Sequence, residues 1–240
     1  MIVIPMAGLS SRFFKAGYTQ PKYMLPGHGK PLFDHAVESF NHYFQQQPFL
    51  FICRSDYDTP AFIADRCNAL GIADWRCIVL DRETRGQAET VALGLKEAGI
   101  SSGEITIFNI DTFRPDFRFP DFIGEVDGYL EVFQGDGDNW SYARPAAPDS
   151  LKVVETAEKK PISDLCSDGL YYFANAADFL SAFTAEATSP ASSLKNGELY
   201  VAPLYNRLIT QNKLIQYQLI ERQQVIFCGV PAEYDEFLAK

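Results

Sequence analysis

Ile2-Val3-Ile4-Pro5-Met6-Ala7-Gly8-Leu9-Ser10-Ser11-Arg12 opens the chain, and this stretch decides how the rest is read. Ile2, Val3 and Ile4 are all β-branched and form a short apolar run suited to a buried strand. Pro5 ends the run, and a glycine and two serines follow at once. A strand opening into a Gly/Ser turn that carries an arginine is a good place to hold phosphate. Glycine lets the backbone approach the ligand, and exposed N–H groups and hydroxyls donate to its oxygens. Arg12 adds a rigid fork of donors, and Lys22, in Pro21-Lys22-Tyr23-Met24-Leu25-Pro26, a mobile point charge. The loop matches neither G-x-x-x-x-G-K-[ST] nor G-x-G-x-x-G, and the same residue types would also suit a solvated turn.

Outward from this loop the first half alternates. Pro31 stands where a helix begins, with Leu32, Phe33, Ala36, Val37 and Phe40 at helical spacing. Residues 48–53 read as a strand, about 59–70 as a helix stopped by Gly71, and 76–80 as a third strand. Thr84-Arg85-Gly86-Gln87-Ala88-Glu89-Thr90 leads into a helix that runs to about Ala98. Glu104 to Asn109 is a fourth strand, ending in Ile110-Asp111-Thr112. This rhythm implies right-handed crossovers, a mostly parallel sheet and ligands beyond the carboxyl ends of the strands. Gly8 to Arg12, Gln87 to Thr90 and Asp111 all fall at such ends. Asp111, following a strongly apolar strand, is the candidate metal ligand; aspartate also serves as a plain turn cap.

The second half changes rhythm. Residues 128–133, 140–144, 151–157 and 169–173 read as strands, with Gly135-Asp136-Gly137-Asp138-Asn139 as a hairpin turn by composition. That turn lacks the spacing and closing glutamate of a calcium loop. Asn175 is placed to cap a helix to about Ala185. Residues 189–196 read as a flexible loop and Glu198 to Thr210 as a helix. Strands near 214–220 and 223–228 and a helix from Ala232 follow.

Composition narrows the function classes. The chain has 240 residues, 47% of them apolar, enough for one large α/β domain with a full core. The net charge of −10 argues against nucleic acid and against an anionic membrane surface, so cations that meet a nucleotide must be local. The five cysteines, Cys53, Cys67, Cys77, Cys166 and Cys228, are odd in number and show no C-x-x-C, and they read as buried free thiols. His28, His35 and His42 read as surface or packing residues. With no signal-peptide pattern and no long apolar run, the expected location is the cytoplasm.

Pro5-Met6-Ala7-Gly8-Leu9-Ser10-Ser11-Arg12-Phe13, Pro21-Lys22-Tyr23-Met24-Leu25-Pro26 and Gly29-Lys30-Pro31-Leu32 resemble the N-terminal signature of the sugar-nucleotide pyrophosphorylases. These nucleotidyltransferases make NDP-sugars from an NTP and a sugar 1-phosphate. Leu9 stands where many members carry a second glycine. The resemblance implies an α/β, GT-A-like, Rossmann-like three-layer fold with a mostly parallel mixed central sheet. It implies a single domain over residues 1–240, with a nucleotide-binding half at 1–112 and a sugar- or acceptor-binding half at 113–240.

The same resemblance assigns roles. Ala7, Gly8, Leu9, Ser10, Ser11, Arg12 and Lys22 meet the nucleotide, with Gln87, Ala88 and Thr90 at base and ribose. A glutamine amide both donates to and accepts from a base edge. Asp111 holds Mg2+. Glu158 and Lys159 resemble the family's Glu-Lys pair, taking sugar hydroxyls and phosphate, with Gly169 in the Gly-x-Tyr-x-Phe segment; without the family, residues 155–160 are a solvated charge run. Glu198 and Tyr200 resemble a sugar-side segment of a subset linked to capsule polysaccharide. The tail Phe227-Cys228-Gly229-Val230-Pro231 resembles a Gly-Thr-Pro segment in which a second metal-binding Asp falls at the position of Ile226. The implied catalytic set is Arg12, Lys22, Asp111 and Lys159, and a monomer or homodimer is expected. Two other readings stay open: a non-catalytic nucleotide- or sugar-nucleotide-binding module, and a GT-A glycosyltransferase, for which Asn109-Ile110-Asp111 is half of an Asp-x-Asp motif. The base and the sugar are not named by these residues.

Overall fold

The computed structural model describes residues 1–189 and 197–240. Its contacts divide the chain into two compact, interleaved units: residues 2–83, 108–118 and 223–240, and residue 1 with 84–107 and 119–222. They are called the loop unit and the sheet unit below. The loop expected at 189–196 falls, after Ser189, outside the described residues.

In the loop unit the strands Ile2–Pro5, Phe49–Arg54 and Trp75–Leu80 run parallel, with Ile2 opposite Phe49 and Phe49 opposite Trp75. Ile2, Val3 and Ile4 are fully buried, as the β-branched run demands. The helix Thr59–Leu70 starts with a proline in its first turn and ends at Gly71. Thr59, Ile63 and Cys67, four residues apart, form its buried face. Leu32–Val37 is α-helical and continues as a tighter 3-10 turn over Glu38–Tyr43, with Pro31 one residue ahead of the helix. Phe33, Phe40, Phe49 and Phe51 pack ring to ring and are almost wholly buried.

The sheet unit is built around Leu165–Phe173, every residue of which is buried. It pairs antiparallel with Gly128–Gln134 and with Ser141–Pro145, and Gly128–Gln134 pairs parallel with Ile215–Ile220. Val153–Glu158 adds antiparallel to Ser141–Pro145. The result is an α/β fold with a mixed sheet. Gly169 has φ +98, and the register of its strand slips between Ser167 and Tyr171. Ser167 and Asp168 side chains accept the N–H groups of Gly169 and Leu170, closing this bulge from within. Asn175 caps the helix Ala176–Ala187 through Ala177 N, as expected.

Two expectations are corrected. Residues 135–139 are not a hairpin turn, because the strands they join do not pair with each other; each pairs with Leu165–Phe173. The helix expected over 198–210 begins only at Ala202, as a 3-10 turn Ala202–Leu204 followed by the α-helix Tyr205–Thr210. Leu199 N–H donates to Arg85 O at 2.6 Å and Leu199 O accepts from Ala88 N–H at 3.0 Å. Its backbone groups are thus spent outside any helix, which the helical spacing of Val201, Leu204, Tyr205 and Leu208 does not reveal.

Candidate active site

In the loop unit the Ile2–Pro5 strand makes its last bond through Met6 N–H, to Ile52 O at 2.8 Å. The chain then turns out through Gly8 and Leu9, which are exposed. A Cβ at Gly8 would meet nothing within 4 Å, so the protein's own packing does not require glycine there. Ser10 adopts a left-handed conformation, φ 51, and its carbonyl accepts from Phe13 and Phe14 N–H to start the short helix Ser11–Lys15. Lys22 N–H donates to Ser10 Oγ at 3.2 Å, locking the two parts of the N-terminal motif together. Ala7 is buried beneath the loop, and Ser11 and Arg12 are exposed.

Asp111 follows the strand Ile105–Phe108, and its carboxylate is ion-paired with Lys22 through Oδ2. The tail strand Ile226–Phe227 pairs antiparallel with Thr112–Phe113, and Cys228 N–H donates to Asp111 O at 2.8 Å. The tail therefore reaches Asp111, yet Ile226 brings no acid. The acid it does bring is Glu233, whose Oε2 accepts from Gly229 N–H at 2.7 Å and Val230 N–H at 3.2 Å. A Cβ on Gly229 would lie 3.0 Å from Asp111 Oδ2 and 3.5 Å from Glu233 Oε2, so a side chain at 229 would crowd both carboxylates. Buried beside them, the Cys228 thiol is pushed up to about 12, first by desolvation and then by Glu233 and Asp111.

Among the described residues no group of three or more His, Cys, Asp and Glu side chains is placed to hold a metal ion. Asp111 Oδ1 makes no hydrogen bond among the described residues. Mg2+ is commonly held by one or two carboxylates with substrate phosphates completing its shell. This donor set fits such an ion and does not fit an all-protein metal cage.

In the sheet unit, Gly86 precedes the helix Gln87–Glu97 with φ 131, and a Cβ there would sit 2.6 Å from Leu199 O. The Glu198–Tyr200 segment thus lies directly on the start of the helix that carries Gln87. Glu89 is buried, accepting Arg85 N–H at 2.6 Å and pairing with its guanidinium at 3.3 Å. Ala88 and Thr90 are buried and serve this turn; Thr90 Oγ1 donates to Gly86 O at 3.1 Å. Gln87 keeps a partly exposed side chain.

Lys159, left-handed at φ 51, donates through Nζ to Tyr200 Oη at 2.5 Å and lies 4.6 Å from the centre of that ring. Tyr200 in turn donates to Glu198. Glu158 accepts from Ser141 Oγ, which Tyr171 Oη backs at 3.3 Å, and Lys159 Nζ lies 3.9 Å from its other oxygen. Glu158, Lys159, Glu198 and Tyr200 therefore form one polar network. Gly169 is buried, and the bulge explains its glycine. Sequence reasoning gave no role to Ser141, Tyr171 or Leu199, although Tyr171 is the tyrosine of the Gly-x-Tyr-x-Phe segment and Leu199 stands between Glu198 and Tyr200; each acts by supporting a neighbour distant in sequence, which no local pattern shows.

The α/β fold, with its mixed sheet and parallel strands, is that of the nucleotidyltransferases. The chain is 58% identical to the nucleoside-diphosphate-sugar pyrophosphorylase of Vibrio cholerae RC9, with a TM-score of 0.96 and 100% of each chain covered. The chain belongs to the nucleoside-diphosphate-sugar pyrophosphorylase family. Its fold is shared at 16% identity with a UDP-glucose pyrophosphorylase solved with UDP-glucose (TM-score 0.76, 99% of this chain and 96% of that one). It is shared at 12% identity with the inositol-1-phosphate CTP transferase of T. maritima (TM-score 0.73, 100% and 94%). No family model and no curated protein matches the sequence. No helix among the described residues is long and apolar enough to cross a membrane.

Proposed function

We propose that the protein joins an NTP to a sugar 1-phosphate or a related alcohol phosphate, releasing pyrophosphate, in the cytoplasm and for surface polysaccharide. The observation that carries the reading is the Lys22–Asp111 pair, which ties the cationic first loop to a carboxylate suited to Mg2+. The likeness to the Vibrio cholerae protein supports the reaction class.

In this reaction a phosphate oxygen of the acceptor attacks the α-phosphorus in line, the α–β bridging bond breaks, and its electron pair leaves with pyrophosphate. Little covalent help is needed, so positioning and charge neutralisation carry the rate. Arg12 and Lys22 offset triphosphate charge, and Ala7 to Ser11 present backbone and hydroxyl donors. Gln87, with Ala88 and Thr90 shaping its turn, reads the base. Glu158 takes sugar hydroxyls, Lys159 the acceptor phosphate, and Glu198 and Tyr200 line the sugar side. Mg2+, held by Asp111, would supply further neutralisation of phosphate charge.

The test is pyrophosphate release by purified protein with Mg2+, each common NTP and a panel of sugar and polyol phosphates. Release with one NTP and one acceptor class is expected. A second reading, a nucleotide-binding module without turnover, is favoured by Ile226 at the tail position. It predicts nucleotide binding but no pyrophosphate from any pair.

A further inference from the structure

Beside the first loop lies a cavity of about 670 Å3 with a second wall that no motif announced. Gly8, Leu9, Ser11 and Lys15, from the first loop and its short helix, line it together with Arg54 and Tyr57, from the end of the Phe49–Arg54 strand and the turn after it. Arg54 ends the strand Phe49–Arg54, and its guanidinium is pinned by two acids. Nε donates to Asp56 Oδ2 at 2.7 Å and Nη1 lies 3.5 Å from Glu83 Oε1. Nη2 makes no hydrogen bond among the described residues.

The chain beyond Arg54 is strained. Tyr57 and Asp58 are both left-handed, φ 57 and 54, a conformation that side-chain-bearing residues keep only where their surroundings hold them. Here the Tyr57 ring stacks on Phe14, centroids 5.5 Å apart at 18°, and Thr59 Oγ1 donates to Asp56 O at 2.5 Å. Ser10, in the chain between the lining residues Leu9 and Ser11, is left-handed too. Two strained turns, one bearing Arg54 and the other the candidate phosphate loop, thus border one open space. Lys15 and Arg54 give it cations in a chain whose net charge is −10.

We propose that Arg54, assisted by Lys15, holds the β- and γ-phosphates of the nucleoside triphosphate and the pyrophosphate that leaves. The proposal rests on the nucleotidyltransferase reading and adds a residue to it. As the α–β bond breaks, negative charge grows on the departing pyrophosphate, and a pre-oriented guanidinium fork stabilises it as it forms. The incoming phosphate takes Nη2 and competes with Asp56 for Nε.

The test is calorimetric binding of inorganic pyrophosphate, of the NTP the protein prefers among ATP, GTP, CTP, UTP and dTTP, and of the matching monophosphate. Arg54→Gln is expected to weaken pyrophosphate and NTP binding about tenfold and to leave the monophosphate unchanged, with Arg54→Lys recovering part of the loss. Lys15→Gln, at an exposed position, gives a smaller loss of the same pattern even where Arg54→Gln folds poorly. Wild-type affinity for pyrophosphate and NTP in both glutamine variants, or an equal loss for the monophosphate, overturns the proposal while leaving the enzyme reading intact. A wild-type protein that binds neither pyrophosphate nor any NTP overturns the enzyme reading and this subsite with it.

Discussion

Lys22 and Asp111, 89 residues apart in sequence, are joined through Nζ and Oδ2, each with about a fifth of its side chain exposed. In a partly solvated place such a pair adds little to stability, about 0–1 kcal/mol. Its value lies in holding a cation and a carboxylate at one point. Asp111→Asn keeps the shape and removes the charge. Pyrophosphate release is expected to fall by about 10²–10³ while the melting temperature barely moves. A variant within tenfold of wild type takes Asp111 out of the reaction.

Gly86 and Leu199 make a second prediction. Alanine at 86 would have to keep φ near 131 and place its Cβ 2.6 Å from a backbone oxygen that cannot rotate away. The strain costs about 1–3 kcal/mol. At about 2–4 °C per kcal/mol for a chain of this size, Gly86→Ala should lower the melting temperature by several degrees. The displaced segment carries Glu198 and Tyr200, so KM for the sugar phosphate should rise as well. An unchanged melting curve and KM would show that the segment does not need this contact.

Why the first half reads so directly from sequence is visible in its residues. Ile2-Val3-Ile4 has one physical use, a buried strand, and Thr59, Ile63 and Cys67 mark a helix face by spacing alone. Pairing information is not local, and there the reading fails. Nothing within residues 135–139 tells that Gly128–Gln134 and Ser141–Pro145 both seek Leu165–Phe173. Nothing in Glu198-Leu199-Tyr200 tells that Arg85 and Ala88 claim Leu199's backbone. Arg12 and Lys22 stand out in the sequence through the motif around them, and Asp111 through its place after an apolar strand. Arg54 does not, because its setting is a cavity and two strained turns.

The thiols differ in a way that mass spectrometry can read. Cys53 and Cys77 sit on adjacent strands with Sγ atoms 3.5 Å apart. The hydrogen bond from Cys53 holds the Cys77 thiol below its ordinary value of 9.0 despite burial, whereas Cys53 itself is raised far above it. Burial pushes Cys67 up to about 12 and Cys166 upward. Cys77 is also the one of the five that is not fully buried. Iodoacetamide should therefore label Cys77 first, and Cys53→Ala, which removes the donor, should slow that labelling. Faster modification of any other cysteine would contradict this order.

His35 gives the pH dependence. Its Nε2 donates to Gly27 O at 2.8 Å, and its ring packs between Phe113 and Phe237, with centroids 5.3 and 5.1 Å away. Desolvation lowers its pKa below 6.5; the Gly27 carbonyl and Glu38 pull upward, while Lys30 and His28 push down. The folded protein thus resists protonating this ring more than the unfolded chain does. Between the folded value and 6.5 the unfolded chain binds more protons, so this contribution is complete above about 6.5 and is lost as the pH falls through the folded value. Melting curves from about pH 8 to about pH 5 should show stability declining at the acid end, and His35→Gln, which retains an N–H for Gly27, should flatten that decline. An identical decline in the variant would assign the acid sensitivity to other groups.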